Sequence, residues 1–325
     1  MPDVKFPAHF GLCTLMVVLL ACGRVSHQPR KVIGVVPKGV AALFWQSLHA
    51  GVMSAGRDFN VEVLWNGPSI ETDYSRQIQI VDAMISRHVD GLAISASDHT
   101  ALNGVIERAS RVGIPVTVFD SGVDTTDYMT FLATNNPAAG EMAARKVAEL
   151  LHGKGEIAMV MHVPGSVSTG DREARFEEVL KRDFPGIHIA ARQFGSDDRA
   201  VARAAAENIL SAHPRLSAIF ASAEAGTLGA ALALKARGLA GKVRMVGFDS
   251  SYELVEDLKS GVVDALVIQD PFRIGYETVR TLVDQLGGKI PPKRIDLSAR
   301  VITRIDLDKP EVKAMLFPNL GVLNN

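Results

Sequence analysis

From residue 32 onward, short apolar runs rich in β-branched residues alternate with longer segments whose apolar positions recur at helical spacing. This alternation is typical of βαβ units and of a parallel sheet. The predicted strands are Val32–Val36, Val61–Trp65, Gly91–Ser95, Pro115–Phe119, Glu156–Met161, Ile187–Ala191, Leu216–Ala221, Val243–Gly247 and Ala265–Gln269. The predicted helices are Phe44–Asp58, Ser75–His88, Thr100–Val112, Ala138–Leu151, Asp171–Asp183, Arg199–Ala212, Gly226–Arg237, Tyr252–Gly261 and Ile274–Gly287.

The βα units fall into two arrays of similar size, separated by a break at Asn135–Pro137. Two doubly wound lobes explain this arrangement better than one (β/α)₈ barrel, which the number of units alone also permits. A different tail follows the second array, in which Pro291-Pro292 precedes an isolated strand, Ala299–Ile305. Such a strand suits a chain that returns to complete a lobe.

Composition agrees with a large α/β protein and excludes one class of partner. The chain has 325 residues, of which 47% are hydrophobic, so it can bury two cores. Lys and Arg number 35 against 36 Asp and Glu, giving a net charge of −1. Nucleic-acid binding needs a concentrated basic field, so no nucleic-acid partner is expected.

The first residues have the pattern of an export signal. Lys5 precedes an apolar run that ends at Ala21, too short to span a bilayer. Leu19-Leu20-Ala21-Cys22 resembles a bacterial lipobox, which predicts lipid attachment at Cys22, and no cysteine follows to compete for it. An ordinary cleaved signal or a buried helix with an incidental cysteine remains the alternative.

Candidate ligand contacts follow the strands of the first array, because ligands of open α/β sheets bind beyond the carboxyl ends of the strands. Lys38 follows the first strand and precedes an aromatic pair, Phe44 and Trp45, which stack on a sugar face or else anchor the helix in the core. Ser95 ends the third strand, and Asp120 ends the fourth with no helix start nearby to explain it as a cap.

The second array offers a similar set. Arg172 is expected in the first turn of a helix, where its charge opposes the helix dipole, so a bidentate ligand contact or a surface ion pair is predicted. One of Asp197 and Asp198 is expected to cap the next helix. Glu224, Asp249 and Gln269 each follow a predicted strand of this array.

These residues form a predicted ring of planar or charged polar groups with two aromatic walls, which is the usual means of recognising a polyol. The sequence has no nucleophile elbow, no paired histidines at metal spacing and no Walker-type phosphate loop. No catalytic residue, metal or cofactor is therefore expected, and the scattered histidines are assigned to the surface or the core. A sugar-responsive repressor would need a helix-turn-helix where the apolar signal stands.

The order of these residues resembles the periplasmic sugar-binding proteins of the ribose/galactose group. The resemblance extends over residues 32–305 and rests on Lys38, Phe44-Trp45, Ser95, Asp120, Asp171-Arg172-Glu173, Gly247-Phe248-Asp249 and Gln269. It implies a type I periplasmic-binding-protein fold: two Rossmann-like lobes of parallel sheet joined by a three-segment hinge that closes on the ligand. The crossings are expected near Thr134–Asn136, Gln269–Pro271 and Leu297–Arg300.

Three departures argue against ribose itself. Ala42, Ser121 and Ala223 stand where the ribose-binding pattern has polar or basic residues. Other stretches, such as Asn66-Gly67-Pro68, are more similar to the branch that binds rhamnose or autoinducer-2, the furanosyl quorum signal. In that branch a lysine and two aspartates hold the ligand, which implies such a role for Lys38, Asp120 and Asp197, and Ser121 joins the candidate contacts.

The resemblance also implies an organisation and a partner. Residues 1–21 are the expected signal and 22–31 a linker; residues 32–134 with 270–298 form one lobe, and 135–269 with 299–325 the other. The expected product is a monomeric, lipid-anchored periplasmic protein that presents a monosaccharide or similar polyol to an ABC permease. The alternative is a sensor protein that presents its ligand to a membrane receptor or kinase.

Overall fold

The computed structural model describes residues 1–4 and 30–324, so Cys22 and the predicted signal lie outside the described residues. The strands are β1 (Val32–Val36), β2 (Glu62–Trp65), β3 (Gly91–Ile94), β4 (Val116–Phe119), β5 (Thr130–Thr134), β6 (Gly155–Met161), β7 (Ile187–Phe194), β8 (Ala218–Ala221), β9 (Arg244–Phe248), β10 (Ala265–Ile268), β11 (Arg294–Leu297) and β12 (Arg300–Ile302). The α-helices are α1 (Leu43–Asp58), α2 (Tyr74–Ser86), α3 (Asn103–Arg111), α4 (Asn136–Leu150), α5 (Val167–Asp183), α6 (Arg199–Ala212), α7 (Glu224–Ala236), α8 (Tyr252–Ser260), α9 (Pro271–Leu286) and α10 (Pro310–Leu316).

The strands form two six-stranded sheets, ordered β11-β5-β4-β3-β1-β2 and β12-β10-β9-β8-β6-β7. Within the described residues all neighbouring strands run parallel except β12, which pairs antiparallel with β10. This arrangement rules out the barrel alternative. In each sheet the strand order reverses beside the first strand of its array, β1 or β6, which is where open α/β sheets bind ligands.

The chain passes between the sheets at three places. β5 belongs to the first sheet, whereas the helix that follows it, α4, packs on α5 beside the second. After β10 the chain returns through α9, which packs on α1, and it leaves the first sheet again between β11 and β12. We call the first sheet with its helices the first lobe, and the second sheet with its helices the second lobe.

The helices that follow the first two crossings begin alike. Asn135 accepts a hydrogen bond from a backbone N–H at the start of α4, and Asp270 does so at the start of α9. Pro137 and Pro271 occupy the first turns, where a missing N–H costs nothing. A polar cap followed by proline therefore starts a helix directly as the chain enters the other lobe.

Each sheet is buried on both faces, which explains the almost continuously apolar strands. Successive residues of a strand point to opposite faces. Ile157 and Met159 of β6 accordingly pack with α4 and α5, whereas Ala158 and Val160 pack with α6 and α7. The first lobe repeats this arrangement, with α1 and α9 on one face and α2 and α3 on the other.

Two strands, β5 and β11, were absent from the sequence-based prediction. β11 lies at the edge of its sheet, and its exposed residues Arg294 and Asp296 interrupt the apolar run from which a strand would be predicted. β5 holds only three apolar residues, Phe131, Leu132 and Ala133, between two threonines, so its apolar run is short. The predicted late strand is also shorter than expected, since β12 ends at Ile302 and a 3₁₀ turn follows. Among the described residues, no helix has the length and apolar character needed to cross a membrane.

Candidate functional site

The carboxyl ends of the central strands of both sheets meet at a cleft between the lobes. Lys38 follows β1 in the first lobe, and its ammonium lies 3.4 Å from Ser166 Oγ and 3.3 Å from Ser168 Oγ of the second. All three side chains are buried. The two lobes are therefore in contact through the site, which corresponds to a closed arrangement.

Lys38 is the cation at the centre of this contact. Its Nζ lies 3.4 Å from Glu71 Oε2 and 3.5 Å from Asp120 Oδ2. Burial by itself lowers the pKa of Lys38, but the Coulomb attraction of Glu71 and Asp120 outweighs burial and raises that pKa above its usual value. Lys38 is thus a fixed positive charge held between two carboxylates.

Glu71 is a residue that the sequence-based reasoning missed. It lies in the loop between β2 and α2, where Trp45 Nε1 donates to its Oε1 at 2.7 Å and His162 Nε2 lies 3.2 Å from its Oε2. Its backbone N–H donates to Asp197 Oδ2 at 3.0 Å. Burial opposes ionisation, but Lys38 and His162 more than compensate and hold the pKa of Glu71 far below its usual range.

Asp120 and Ser95 form a second buried pair in the first lobe. Ser95 Oγ donates to Asp120 Oδ2 at 2.8 Å. Asp120 has a φ of 57°, in the left-handed region that aspartate tolerates better than most residues. The neighbouring Ser121 Oγ accepts a hydrogen bond from the backbone N–H of Ser168 at 3.4 Å, so this turn also reaches the second lobe.

Arg172 occupies a different place from the one expected. α5 begins at Val167, so Arg172 lies in its second turn, and the predicted conflict with the helix dipole was wrong. The guanidinium is buried rather than paired at the surface. Its Nε donates to Asn136 Oδ1 at 2.8 Å, and its Nη1 donates to the Ser222 carbonyl at 3.0 Å. The group also lies 3.8 Å from the centre of the Phe248 ring, a cation–π contact.

Asp249 and Gln269 meet at the other side of Arg172. Gln269 Nε2 donates to Asp249 Oδ1 at 2.7 Å, and Gln269 Oε1 accepts from Thr134 Oγ1 at 2.6 Å. Burial raises the pKa of Asp249, and Arg172 only partly offsets it. Gln269 and Thr134 stand at two of the three crossings, so this contact joins the segments that link the lobes.

The aromatic pair divides between core and cleft. Trp45 is 2% exposed and packs in the first-lobe core, with only its indole N–H turned to Glu71. Phe44 is half-buried and packs edge-on against Trp45, with ring centres 4.9 Å apart. It lines a narrow space with Asp249 and Gln269. Phe44 therefore fits the predicted wall, whereas Trp45 acts mainly through its hydrogen bond.

A cavity of about 260 Å³ lies between the lobes, and its polar lining includes Trp45, His162, Asp197, Arg199 and Glu224. We call it the acidic cavity. Small-molecule pockets usually measure about 300–1,000 Å³, so this volume suits a small ligand. A larger groove of about 650 Å³ runs along α5 and β7 on the outside of the second lobe, away from the strand ends.

Both carboxylates of the acidic cavity have raised pKa values. Asp198 caps α6, which leaves the Asp197 side chain free of that role. Burial and the nearby Glu71 carboxylate raise the pKa of Asp197 to about 6. Burial, followed by Asp249 and Glu71, raises the pKa of Glu224 to about 8, and its Oε2 has no hydrogen-bond partner among residues 30–324.

His162 borders the site, although the histidines were expected only as surface or core residues. It directly follows β6, as Lys38 follows β1, and it is buried. Glu71, His162 and Asp197 place potential metal-ligand atoms within 4.8 Å of one another. However, both oxygens of Glu71 are already engaged, Oε1 by Trp45 and Oε2 by Lys38 and His162, which leaves this carboxylate no free atom for a metal. The group therefore fits a hydrogen-bonding role better than a metal site.

Two lobes with one polar site between them are the architecture of a known class of binding protein. The family model of the periplasmic binding protein domain matches residues 33–290 of this chain. The chain belongs to this family. It is 28% identical over 261 residues to the ribose import binding protein of Bacillus subtilis, covering 80% of this chain and 83% of that protein. It is also 28% identical to the D-ribose/D-allose-binding protein of Pseudomonas aeruginosa, over 86% of this chain and 92% of that one.

Solved structures give the same result. A solute-binding protein of a carbohydrate transporter from Agrobacterium radiobacter, in complex with D-arabinose, superposes with a TM-score of 0.86 at 27% identity, covering 89% of this chain and 99% of that one. A solute-binding protein from Agrobacterium vitis with bound D-fucose superposes with a TM-score of 0.85 at 31% identity, over 88% and 100% of the two chains.

These matches confirm the predicted family and the two-lobed α/β fold. They place the chain among the substrate-binding proteins of transporters, and so among binding proteins rather than enzymes. Binding proteins of this family work outside the cytoplasm, which agrees with the predicted location.

Proposed function

We propose that this protein is the sugar-binding component of an ABC importer and that it holds a monosaccharide in the cleft between its lobes. The observation that carries the proposal is the convergence of charged side chains from both sheets on Lys38, Asp120 and Arg172 at the closed contact between the lobes. The relatives named above are sugar-binding components of importers, which supports the same class of ligand here.

Within the site we assign each candidate residue a part. Charged or amide groups that form direct contacts with ligand hydroxyls are Lys38, Asp120, Arg172, Asp197, Glu224, Asp249 and Gln269. Ser95 and Ser121 support the Asp120 turn, and Phe44 covers an apolar face of the sugar. Trp45 acts through Glu71, which we add to the set together with His162.

Affinity follows from a modest number of such bonds. Each neutral hydrogen bond contributes about 0.5–1.5 kcal/mol net and each charged one about 1.5–3 kcal/mol. Several of them, less the cost of ordering the ligand, correspond to a micromolar dissociation constant, or about −8 kcal/mol. Ligand entry requires the lobes to separate, and the three crossings between the sheets are the proposed hinge.

A thermal-shift screen of pentoses, hexoses, deoxyhexoses and furanosyl signals tests the proposal. A ligand at 100 times its Kd stabilises the protein by about 2.7 kcal/mol. The melting temperature should then rise by several degrees. The double variant Asp120→Ala/Asp249→Ala should lose the shift, whereas Asp82→Ala, which removes a surface partner of Arg108, should keep it. A screen without any shift, or a shift that persists in the double variant, would contradict the proposed site.

We further propose that Cys22 carries a lipid anchor. The support is the sequence pattern around Cys22 and the work of such proteins beside a membrane permease. Labelling cells with a fatty-acid analogue should mark the wild type and leave Cys22→Ser unmarked. Label on Cys22→Ser would assign the lipid elsewhere.

We also propose that the protein acts as a monomer, since one chain supplies both sides of the site. Light scattering of the purified protein with and without ligand should give the mass of a single chain in both states. A dimeric mass in either state would contradict this assignment.

A further inference from the structure

The acidic cavity has polar groups that the closed contact around Lys38 does not use. Glu224 Oε2 and His162 Nδ1 are both buried and without a hydrogen-bond partner in the described part of the chain. Buried polar atoms of this kind are usually satisfied by a ligand or by water. Both residues line the acidic cavity, so an occupant of that cavity is the natural partner for them.

The free atoms act mainly as acceptors once Glu224 is ionised. The carboxylate of Glu71 only accepts, so His162 donates to it through Nε2, and Nδ1 of a neutral ring is then an acceptor. Asp197 already accepts the Glu71 N–H through Oδ2 and has Oδ1 left. A group rich in N–H donors satisfies such a lining better than a single hydroxyl does.

The charges around the acidic cavity also favour a cationic ligand. Glu71, Asp120, Asp197, Glu224 and Asp249 bring five carboxyl groups to the cleft, against the cations Lys38 and Arg172. Lys38 is paired with Glu71 and Asp120, and Arg172 donates to Asn136 and to the Ser222 carbonyl, so neither cation forms an ion pair with Asp197 or Glu224. The charged groups with the largest effects on the pKa of Glu224 are all acids: Asp249, Glu71, Glu253 and Asp197. Arg199 lines the cavity but is exposed, and it forms no ion pair with either carboxylate. A cation is therefore attracted to this cavity and an anion is repelled.

Resting on the proposed function, we propose that the acidic cavity is a subsite for an ammonium group, so that the preferred ligand is an amino sugar and sugar acids are excluded. Glu224 and Asp197 pair with the ammonium, and His162 Nδ1 accepts one of its hydrogens. The pyranose or furanose ring extends from there toward Asp120, Arg172 and Asp249, where neutral hydroxyls bind.

Binding of an ammonium group should change the protonation of Glu224, whereas binding of a neutral sugar should not. The pKa of Glu224 is about 8 in the unliganded site, so its carboxyl is largely protonated at pH 7. An ammonium placed beside it favours the carboxylate and lowers that pKa. Binding of a cationic amino sugar at pH 7 should therefore release close to one proton, whereas a neutral sugar should release almost none.

Isothermal titration calorimetry in buffers of different ionisation enthalpy measures both the affinity and the number of protons released. The probes are D-galactose, D-glucose and D-mannose, each compared with its 2-amino-2-deoxy derivative and its uronic acid. We expect an amino derivative to bind at least about tenfold more tightly than its neutral parent, with proton release, and the matching uronate to bind more weakly than either.

Two variants assign the effect to the cavity. Glu224→Gln keeps the size of the side chain and removes its charge, so the ratio of amino-sugar to neutral-sugar affinity should fall about tenfold and the proton release should vanish. Glu253→Gln removes an exposed carboxylate that only acts on Glu224 from a distance, so it should leave that ratio unchanged.

Each outcome decides a different claim. If neutral sugars bind as tightly as their amino derivatives, the ammonium subsite is wrong and the proposed function stands. If an amino preference persists unchanged in Glu224→Gln, the cation is held elsewhere and the assignment to this cavity is wrong. If no sugar of any class binds, the proposed function fails together with the subsite.

Discussion

Asp120 and Asp249 occupy the same position in the two lobes. Each is the middle residue of a Phe-Asp-Ser sequence and directly follows a strand. Each has a left-handed backbone, with φ of 57° for Asp120 and 65° for Asp249. The backbone N–H of each donates to the neighbouring strand, Asp120 to Leu132 and Asp249 to Val267. The two halves of the cleft are therefore built on one repeated local geometry.

The two halves differ in how their acids are paired. In the first lobe Lys38 lies between Glu71 and Asp120, and Trp45 and Ser95 donate to the same two carboxylates. In the second lobe burial outweighs the available partners, so the pKa values of Asp197, Glu224 and Asp249 are all raised.

The two halves of the cleft therefore differ in how far they are organised before a ligand binds. A buried charge is tolerated when it is paired and hydrogen-bonded, and otherwise the group retains its proton. The first-lobe half is thus organised before a ligand arrives, whereas the second-lobe half is left for the ligand to complete. The following variants test that division.

Removal of Lys38 should have the largest effect. Lys38→Met leaves Glu71 and Asp120 buried without a cation, which should cost about 3–5 kcal/mol of unfolding free energy and weaken ligand binding about 10- to 100-fold. Urea denaturation and calorimetry measure the two effects. Lys31→Met removes an exposed pair with Asp90 and should cost at most about 1 kcal/mol. Equal stability of the two variants would mean that the first-lobe half is not organised by Lys38.

Glu224→Gln should change how stability depends on pH. The pKa of Glu224 rises from 4.5 to about 8 on folding, so between these values the folded protein holds a proton that the unfolded chain has lost. Wild-type stability should fall as the pH rises through this window, by up to about 1.4 kcal/mol per pH unit, and level off above it. The glutamine variant lacks this loss. Urea denaturation from pH 5 to 9 should show its advantage growing to pH 8, and a constant difference would contradict the unpaired acid.

Gly140→Ala tests the packing that places Arg172. A Cβ at Gly140 in α4 would overlap the carbonyl oxygen of Arg172 in α5, and a Cβ at Gly51 in α1 would likewise overlap that of Phe272 in α9. Overpacking of this kind costs about 1–3 kcal/mol. Gly170→Ala in α5 meets no atom within 4 Å and should gain about 0.5–1 kcal/mol. Thermal unfolding of both variants should show opposite signs, and a neutral Gly140→Ala would mean that the helices can separate without cost.

Ser95→Ala and Ser222→Ala form the smallest and most symmetrical test. Each serine ends a central strand and donates to a buried carboxylate, Ser95 to Asp120 at 2.8 Å and Ser222 to Glu173 at 2.5 Å. Each loss should cost about 1–2 kcal/mol of stability. Only Ser95→Ala should also weaken sugar binding, because Asp120 is a proposed ligand contact, whereas Glu173 accepts from the backbone of His162 and is not one of the proposed contacts. Equal losses of affinity would remove this distinction between the lobes.

Much of the site follows from a rule that sequence can apply. Lys38, Asp120 and Asp249 were found because they follow predicted strands, and all strand ends of a parallel sheet meet at one edge. His162 satisfies the same rule after β6, so its equivalence to Lys38 would have identified it. Glu71 does not directly follow a strand, so this rule does not find it. It lies six residues beyond β2, and only the path of the β2–α2 loop brings it to Lys38.

The sequence by itself determined the two α/β lobes, since alternating apolar strands and amphipathic helices can bury their surfaces only by stacking in layers. It also determined which strand ends carry polar groups. Only the tertiary structure decided which of those groups are paired. Pairing depends on distances of a few ångströms between residues as far apart as Lys38 and Ser168, and local sequence patterns do not encode such contacts. The folded first lobe therefore gives Lys38 its two carboxylates, whereas the fold of the second lobe leaves Glu224 Oε2 without a hydrogen-bond partner among residues 30–324.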